Sequence, residues 1–308
     1  MTSWQLLIVG VAAALLSGGV VWASIRLAHR YGIYDHPDQA RKTQVVPIPR
    51  LGGLAVVIAF VVSVLAALAA LGRWGQLALA ASVLIPALGM ALVGFLDDKR
   101  SLAPYPRLAM QAGLAVLAIV LGTRIQIFGN VWVDGLLFVL WALVLVNGIN
   151  LLDNSDGLAA TTVMVGAVGA TVIAAMNGQI LISLMGAALA GVSLGFLFHN
   201  WFPARVYMGD AGAYFLGFML AILTVRLRPE GSTAIEGVVI AVLLAALPIA
   251  DTAFVVVTRV RRGVHPFTAG RDHLSHRIQA RGRSVPASVL VLQATPIVTV
   301  IAAILISL

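Results

Sequence analysis

Apolar stretches of about 20 residues recur along almost the whole chain and constrain its fold more than any other feature. A helix needs roughly 20 consecutive apolar residues to cross a bilayer. Only 10% of the residues are charged, whereas soluble domains carry about 25%. The pattern predicts an all-α polytopic membrane protein, one domain over residues 1–308, with about ten transmembrane helices. We place these at about 5–27, 52–71, 76–96, 107–122, 135–152, 157–175, 179–198, 211–226, 236–258 and 287–307.

The basic residues predict how the chain is oriented. With the N-terminus outside, sixteen of the twenty lysines and arginines fall on the cytoplasmic side, in its large loops. The positive-inside rule favours this orientation strongly. We therefore expect a multi-pass protein of the plasma or inner membrane. Because the basicity reflects topology, it is weak evidence for a nucleic-acid partner, and we expect none.

The extracytoplasmic side has short connections and one alternating segment. RIQIFGNVWVD, at 124–134, places apolar residues on both sides of Gly129-Asn130. This alternation around a turn dipeptide predicts a small β-hairpin.

The acidic residues gather on the cytoplasmic side, where eight of the twelve lie. GFLDDKR ends the third span with Asp97 and Asp98 side by side. Adjacent carboxylates at a membrane boundary are costly without a compensating cation, and hard oxygen ligands suit a divalent metal. The alternative is a solvated helix end in which Lys99 and Arg100 pair with the aspartates.

The segment NGINLLDNSDGLAA interrupts the apolar pattern where the fifth span ends. Asn147, Asn150 and Asp153 are three residues apart and share one stripe of a helix. Asp156 precedes the next span and could act as its N-cap, and the asparagines could hydrogen-bond between helices. Four such groups within ten residues exceed the needs of capping, so a ligand site is the second interpretation.

Three further segments carry polar groups. Asp210, in VYMGDAG, could cap the eighth span or bind a metal. The loop TRVRRGVHPFTAGRDHLSHRIQARGR carries His273 and His276 three residues apart. Its arginines suit phosphate or anionic lipid. Asp251 lies deeper in the ninth span, for which we expect a supporting role.

Taken in order, the motifs resemble those of the polyprenyl-phosphate N-acetylhexosamine-1-phosphate transferases. The resemblance runs from about Arg41 to Ile278, and the early and late loops are more similar to the branch that uses UDP-GlcNAc. The motifs are KTQVVPIPRLGG, DDKR, NGINLLDNSDGL, VYMGDAG, PIADT and DHLSHR.

The resemblance implies a cytoplasm-facing site at which undecaprenyl phosphate attacks a UDP-sugar, with Mg²⁺ or Mn²⁺, giving undecaprenyl-diphospho-sugar and UMP. A homodimer is left open. Ser275 stands where many relatives carry another histidine, so no role is transferred to it. The implied residues are Asp97, Asp98 and Asp156 for catalysis, Asp210 and Asp98 for the metal, and Lys42, Asn147, Asn150, Asp153, His273, His276 and Arg277 for the substrates.

Two alternatives remain at this point. One is the related phospho-MurNAc-pentapeptide transferase. The other is a transporter, which usually binds its substrate near the membrane midplane and often has repeated halves. Here the polar groups cluster at one face and no internal repeat is visible.

Overall fold

The apolar stretches fold as helices. The computed structural model describes residues 1–35, 47–123, 125, 127–268 and 270–308. In those ranges it contains twelve α-helices and two short strands that pair antiparallel, Tyr34 with Pro49. The helices are α1 (Ser3–Tyr31), α2 (Gly52–Ala70), α3 (Leu77–Arg100), α4 (Pro104–Val120), α5 (Val131–Leu152), α6 (Leu158–Met176), α7 (Ile180–Asn200), α8 (Gly209–Arg226), α9 (Ala234–Leu244), α10 (Ala246–Arg261), α11 (Leu274–Ala280) and α12 (Val285–Ile306), and the strands are β1 (Tyr34–Asp35) and β2 (Ile48–Pro49).

Eight helices in the described ranges are long and apolar enough to cross a membrane. The pair α9 and α10 adds a ninth if it counts as one span, and α4 is a shorter apolar helix. The predicted boundaries agree with these helices to within about four residues. A multi-pass membrane protein is therefore confirmed, and the count of ten spans stays a prediction.

The ninth predicted span is not one straight helix. It bends by 75° between α9 and α10. Pro248 lies in the first turn of α10 and has no N–H to offer the carbonyl of Leu244, four residues earlier. A proline at such a position breaks the hydrogen-bond ladder of a helix. The break places Asp251 close after the bend.

The predicted hairpin at 124–134 is wrong in its second half. Residues 131–134 form the first turn of α5. The Asn130 side chain caps this helix by accepting the backbone N–H groups of Trp132 and Val133 at 3.0 and 3.2 Å. Asp134 accepts backbone N–H groups of the preceding turn. Capping by an asparagine therefore overrides the alternating pattern.

Helix α8 lies at the centre of the bundle. In its most apolar stretch 89% of the residues are buried, against 33% in α1 and in α12. Its N-terminus packs backbone to backbone with two neighbours. A Cβ on Gly53 of α2 would lie 2.2 Å from the Met208 carbonyl oxygen, and one on Gly94 of α3 would lie 2.3 Å from the Asp210 carbonyl oxygen. Such contacts tolerate no side chain, so α2, α3 and α8 meet in a fixed arrangement.

Candidate active site

The site is built around the N-terminus of α8. The backbone N–H groups of Asp210 and Ala211 donate to the two carboxylate oxygens of Asp98 at 3.1 and 3.2 Å. Asp98 therefore caps α8 from the end of α3. Gly209 has a φ of +67°, and a Cβ there would lie 2.8 Å from Asp98. The predicted alternative of Asp210 as the N-cap is wrong, because Met208 occupies that position and Asp210 lies inside the first turn.

Arg50 holds the cap from the other side. Its guanidinium lies 2.8 Å from Asp98 and 3.2 Å from Asp35 of β1. An arginine suits such bridging because its donors point in several directions of one plane. The loop before α2 is thereby tied to the aspartates of α3.

Asp97 points away from Asp98 into the bundle. One oxygen accepts the Leu102 backbone N–H at 2.8 Å, and the other accepts Tyr214 at 2.5 Å and Arg107 at 3.2 Å. Its side chain is 5% exposed. These contacts join α3, α4 and α8, so the geometry gives Asp97 a positioning role; its predicted catalytic role stays a prediction.

The asparagines of α5 divide between two partners. The Asn150 amide donates to Asp210 at 2.6 Å and joins α5 to α8. The Asn147 amide donates to Gln111 of α4 at 2.8 Å, one turn further from the aspartates. Gln111 is fully buried. Asn150 therefore orients a candidate metal ligand, whereas Asn147 joins helices.

Asp153 ends α5 among three other carboxylates. Burial raises its pKa well above the usual value, and the charges of Asp210, Asp156 and Asp98 raise the pKa further, while Arg50 lowers it. Its carboxylate has no hydrogen-bond donor among the described residues. A cation placed here would relieve this repulsion.

Asp156 is not the N-cap of α6. Gly157 occupies that position in a left-handed conformation, with φ of +76°. Asp156 instead accepts the Ala204 backbone N–H at 3.0 Å. Burial raises the pKa of Asp156, and this hydrogen bond offsets only part of the increase. The Gly157 N–H donates to Asn200 at 3.0 Å. The turn between α5 and α6 is thus fixed to the segment that precedes α8.

Asp251 organises the histidine loop. Its two oxygens contact Nδ1 of His273 at 2.8 Å and the Leu274 backbone N–H at 2.9 Å. Asp251 and His273 are 1% and 4% exposed. The carboxylate orients the imidazole and satisfies a backbone donor at the start of α11; the expected supporting role of Asp251 stays a prediction.

Helix α11 docks on the turn that carries Asp153 and Asp156. Ser275 donates to Asn154 at 2.6 Å, and Gln279 donates to Ser155 at 3.2 Å. These contacts bring the histidine loop and the aspartates to the same end of the bundle.

His276 lies 5.6 Å from His273 between ring centroids. Burial, followed by the charges of His273 and Arg271, lowers its pKa. Its Nδ1 is buried with no hydrogen-bond partner among the described residues. Buried polar atoms are usually satisfied, so this nitrogen is available to a bound ligand.

Arg277 is not brought to the aspartates. Its guanidinium lies 4.5 Å from the centroid of the Phe254 ring on α10, on the opposite face of α11 from Ser275. Lys42 lies outside the described residues. For both, the predicted substrate contact stays a prediction.

The chemistry of the carboxylates fits a hard divalent cation. In the described ranges, no three His, Asp or Glu side chains converge closely enough to hold a metal ion by themselves. Mg²⁺, however, commonly binds one or two carboxylates and completes its shell with water and phosphate oxygens. The Asp153 carboxylate accepts no hydrogen bond from the described residues, and Asp210 accepts one, from Asn150. These two fit best, since both Asp98 oxygens already accept backbone donors.

Sequence reasoning missed several members of this site. Arg50 lies in a quoted motif but no partner is predicted for it, and Gln111 and Tyr214 lie in apolar runs. Ser275 and Asn154 meet from positions 121 residues apart. The sequence signal for Gln111 is a polar residue inside an apolar span, which indicates a buried polar contact.

Comparison with known proteins identifies the family of the chain. Residues 79–228, which include Asp98, Asp153 and Asp210, match the glycosyl transferase family 4. The "Probable undecaprenyl-phosphate N-acetylglucosaminyl 1-phosphate transferase" of Bacillus subtilis is 33% identical over 276 residues, covering 87% of this chain and 75% of the relative. The decaprenyl-phosphate N-acetylglucosaminephosphotransferase of Mycolicibacterium smegmatis is 30% identical over 94% of this chain and 79% of its own length.

A relative from the other branch matches over a shorter region. The phospho-N-acetylmuramoyl-pentapeptide-transferase of Streptococcus pyogenes serotype M6 is 32% identical over 66% of each chain. The longer matches are thus to the N-acetylglucosamine branch. The chain is therefore a phosphosugar transferase that belongs to glycosyl transferase family 4, in the branch of the polyprenyl-phosphate N-acetylglucosamine-1-phosphate transferases.

Proposed function

We propose that the protein transfers N-acetylglucosamine 1-phosphate from UDP-GlcNAc to undecaprenyl phosphate for cell-envelope polysaccharide synthesis. An oxygen of the lipid phosphate attacks the β-phosphorus of the donor, and the bond from that phosphorus to the bridging oxygen breaks. The products are undecaprenyl-diphospho-N-acetylglucosamine and UMP, which leaves with the bridging oxygen. The lipid phosphate is ionised near neutral pH, so the step needs no strong general base.

One observation carries the proposal. Carboxylates from α3, α8 and the α5–α6 turn meet beside the N-terminus of α8, and Asp153 among them has no hydrogen-bond donor in the described part of the chain. Two anionic phosphates can approach one another there only if their charge is neutralised. The names of the relatives in Bacillus and Mycolicibacterium support the same reaction class.

A bound Mg²⁺ or Mn²⁺ would neutralise the phosphates and hold them for in-line displacement. Asp210 and Asp153 would hold the ion, and Asn150 keeps the Asp210 carboxylate oriented through its 2.6 Å hydrogen bond. Asp98 fixes the first turn of α8, and therefore the position of Asp210, through two backbone donors.

The histidine loop would contact the donor substrate. Because Nδ1 of His273 is engaged by Asp251, its Nε2 faces the opposite side of the ring and is left for a ligand. The unpartnered Nδ1 of His276 offers a second contact. A phosphate or sugar hydroxyl satisfies both requirements.

The site would face the cytoplasm. The side that holds the aspartates also holds sixteen of the twenty lysines and arginines when the helices alternate across the membrane. Cytoplasmic loops are the ones enriched in these residues, and UDP-sugars would then reach the site directly.

Product analysis tests the donor and the reaction together. Purified protein receives undecaprenyl phosphate with UDP-GlcNAc or with UDP-MurNAc-pentapeptide, and both UMP and the lipid product are measured. We expect UMP release that requires the lipid, the GlcNAc donor and a divalent cation, and that stops with a chelator. Product from the pentapeptide donor alone would favour the other branch, and uptake of donor into vesicles without UMP would favour a transporter.

Asp210→Asn tests the metal assignment. The amide oxygen still accepts from Asn150, so we expect a folded protein that loses most activity. Asp134→Asn at the far end of α5 is the matched control and should keep turnover. Wild-type turnover by Asp210→Asn at ordinary Mg²⁺ concentration would refute the assignment.

A further inference from the structure

A cavity of about 370 Å³ opens beside α11. Four of its six lining residues are arginines, from the end of α10, from the loop that follows, and from α11. We call it the arginine cavity. It is lined by Arg262, Arg271, Asp272, Arg277, Ala280 and Arg281.

The arginine cavity and the aspartates lie on opposite faces of α11. Ser275 and Gln279, four residues apart, contact the α5–α6 turn. Arg277 and Arg281 each follow one of them by two residues, which is about 200° around a helix at 3.6 residues per turn. The cavity is therefore separate from the aspartates.

The positive charge of the cavity is not neutralised by the described part of the chain. Arg262, Arg271 and Arg281 are exposed and form no ion pair there. Asp272, the one carboxylate of the lining, is engaged by Arg259, whose Nε and Nη2 donate to it at 2.8 and 2.7 Å. Arginine clusters of this kind bind phosphate groups through several donors at once.

An exposed apolar side chain lies next to the arginine cavity. A second cavity of about 190 Å³ shares Arg262, Arg271 and Asp272 with it and is also lined by Val264. Val264 is 39% exposed. A soluble phosphate makes no use of an exposed valine beside the arginines, whereas a lipid presents a charged headgroup next to its acyl chains.

We propose that the arginine cavity binds the phosphate headgroup of an anionic membrane phospholipid. Val264, at the edge shared with the smaller cavity, then contacts its acyl chains, and the arginines surround the phosphate. Its volume lies in the range of small-molecule sites. The bound lipid would hold the outer face of α11 against the membrane surface. The proposal does not rest on the transferase reaction.

Lipid titration followed by native mass spectrometry tests the proposal. Detergent-solubilised protein is titrated with phosphatidylglycerol and, in parallel, with zwitterionic phosphatidylcholine. The test variant carries Arg262→Gln and Arg281→Gln. The matched control carries Arg261→Gln and Arg283→Gln, which remove the same charge from neighbouring exposed positions outside the cavity. Thermal unfolding checks that each variant is folded.

We expect the wild type and the control to bind phosphatidylglycerol more tightly than phosphatidylcholine. The test variant should bind phosphatidylglycerol about thirtyfold more weakly, because each arginine near an anionic lipid contributes about 1 kcal/mol and 1.4 kcal/mol is tenfold. Equal weakening in the test and control variants would overturn the proposal, since it would reduce the effect to net charge. Displacement of the lipid by millimolar pyrophosphate would assign the cavity to a soluble ligand and also overturn it.

Discussion

Replacing Asp98 separates its part in the fold from its part in the chemistry. Its carboxylate accepts the backbone N–H groups of Asp210 and Ala211 and pairs with Arg50. Asp98→Ala removes all three contacts. Asp98→Asn keeps one side-chain oxygen and the shape of the group, so it retains part of the cap and loses the charge.

The structure sets the size of the effect. Asp98→Ala leaves two backbone donors of α8 without a partner, and a lost cap or an unsatisfied buried donor costs about 1–2 kcal/mol each. The expected loss is about 2–4 kcal/mol for Asp98→Ala and about 1–2 kcal/mol for Asp98→Asn. At about 2 °C per kcal/mol for a chain of this size, the apparent Tm falls by roughly 4–8 °C and 2–4 °C.

The assay is thermal unfolding of the detergent-solubilised variants without divalent metal, with UMP release measured in parallel. Asp134→Asn is the control, because this carboxylate also accepts two backbone donors but lies at the opposite end of the bundle. It should lower Tm and keep activity. Equal Tm values for the two Asp98 variants would refute the capping argument. Full turnover by Asp98→Asn would instead leave capping intact and refute the predicted catalytic role.

Three further predictions concern the helices around this site. Gly53→Ala should lower Tm and activity, because its Cβ would lie 2.2 Å from a backbone oxygen, whereas Gly19→Ala meets nothing within 4 Å and should be neutral. Burial lowers the pKa of His276, so the folded protein resists its protonation and should lose stability as pH falls below about 6.5. In Tm measurements from pH 7.5 to 5.5, His276→Gln should lessen this loss and the exposed His265→Gln should not. Asp251→Ala should release the histidine loop, and limited trypsin digestion should then cut its arginines faster than in the wild type; unchanged cleavage would contradict the anchoring role.

The helical fold could be predicted because each span is a continuous apolar run with polar ends. The bend before α10 was missed, since Pro248 sits in an apolar stretch that reads as one span. A proline inside an apolar run is a local signal, but a transmembrane helix often tolerates it when neighbours satisfy the backbone. Here the chain bends at the proline.

The sequence indicates which acidic and amide residues are candidates for the site, but it does not indicate which residues hydrogen-bond to each other. Asp156 and Asp210 are possible N-caps by sequence because they immediately precede apolar runs. The residue that caps α8 is Asp98, 112 positions earlier in the chain. A contact over that separation leaves no periodicity or spacing to read, and the pairing of Ser275 with Asn154 was hidden for the same reason.

The packing of glycine against backbone around α8 bears on how this protein can vary. At Gly53 and Gly94 the neighbouring atom is a main-chain oxygen, which no exchange of side chains on the partner helix can move aside. Replacement of either glycine by alanine is therefore not tolerated, and side-chain mutations on the neighbouring helix cannot compensate for it. In a saturation library selected for growth, these two positions should accept glycine alone, although neither would touch the substrate.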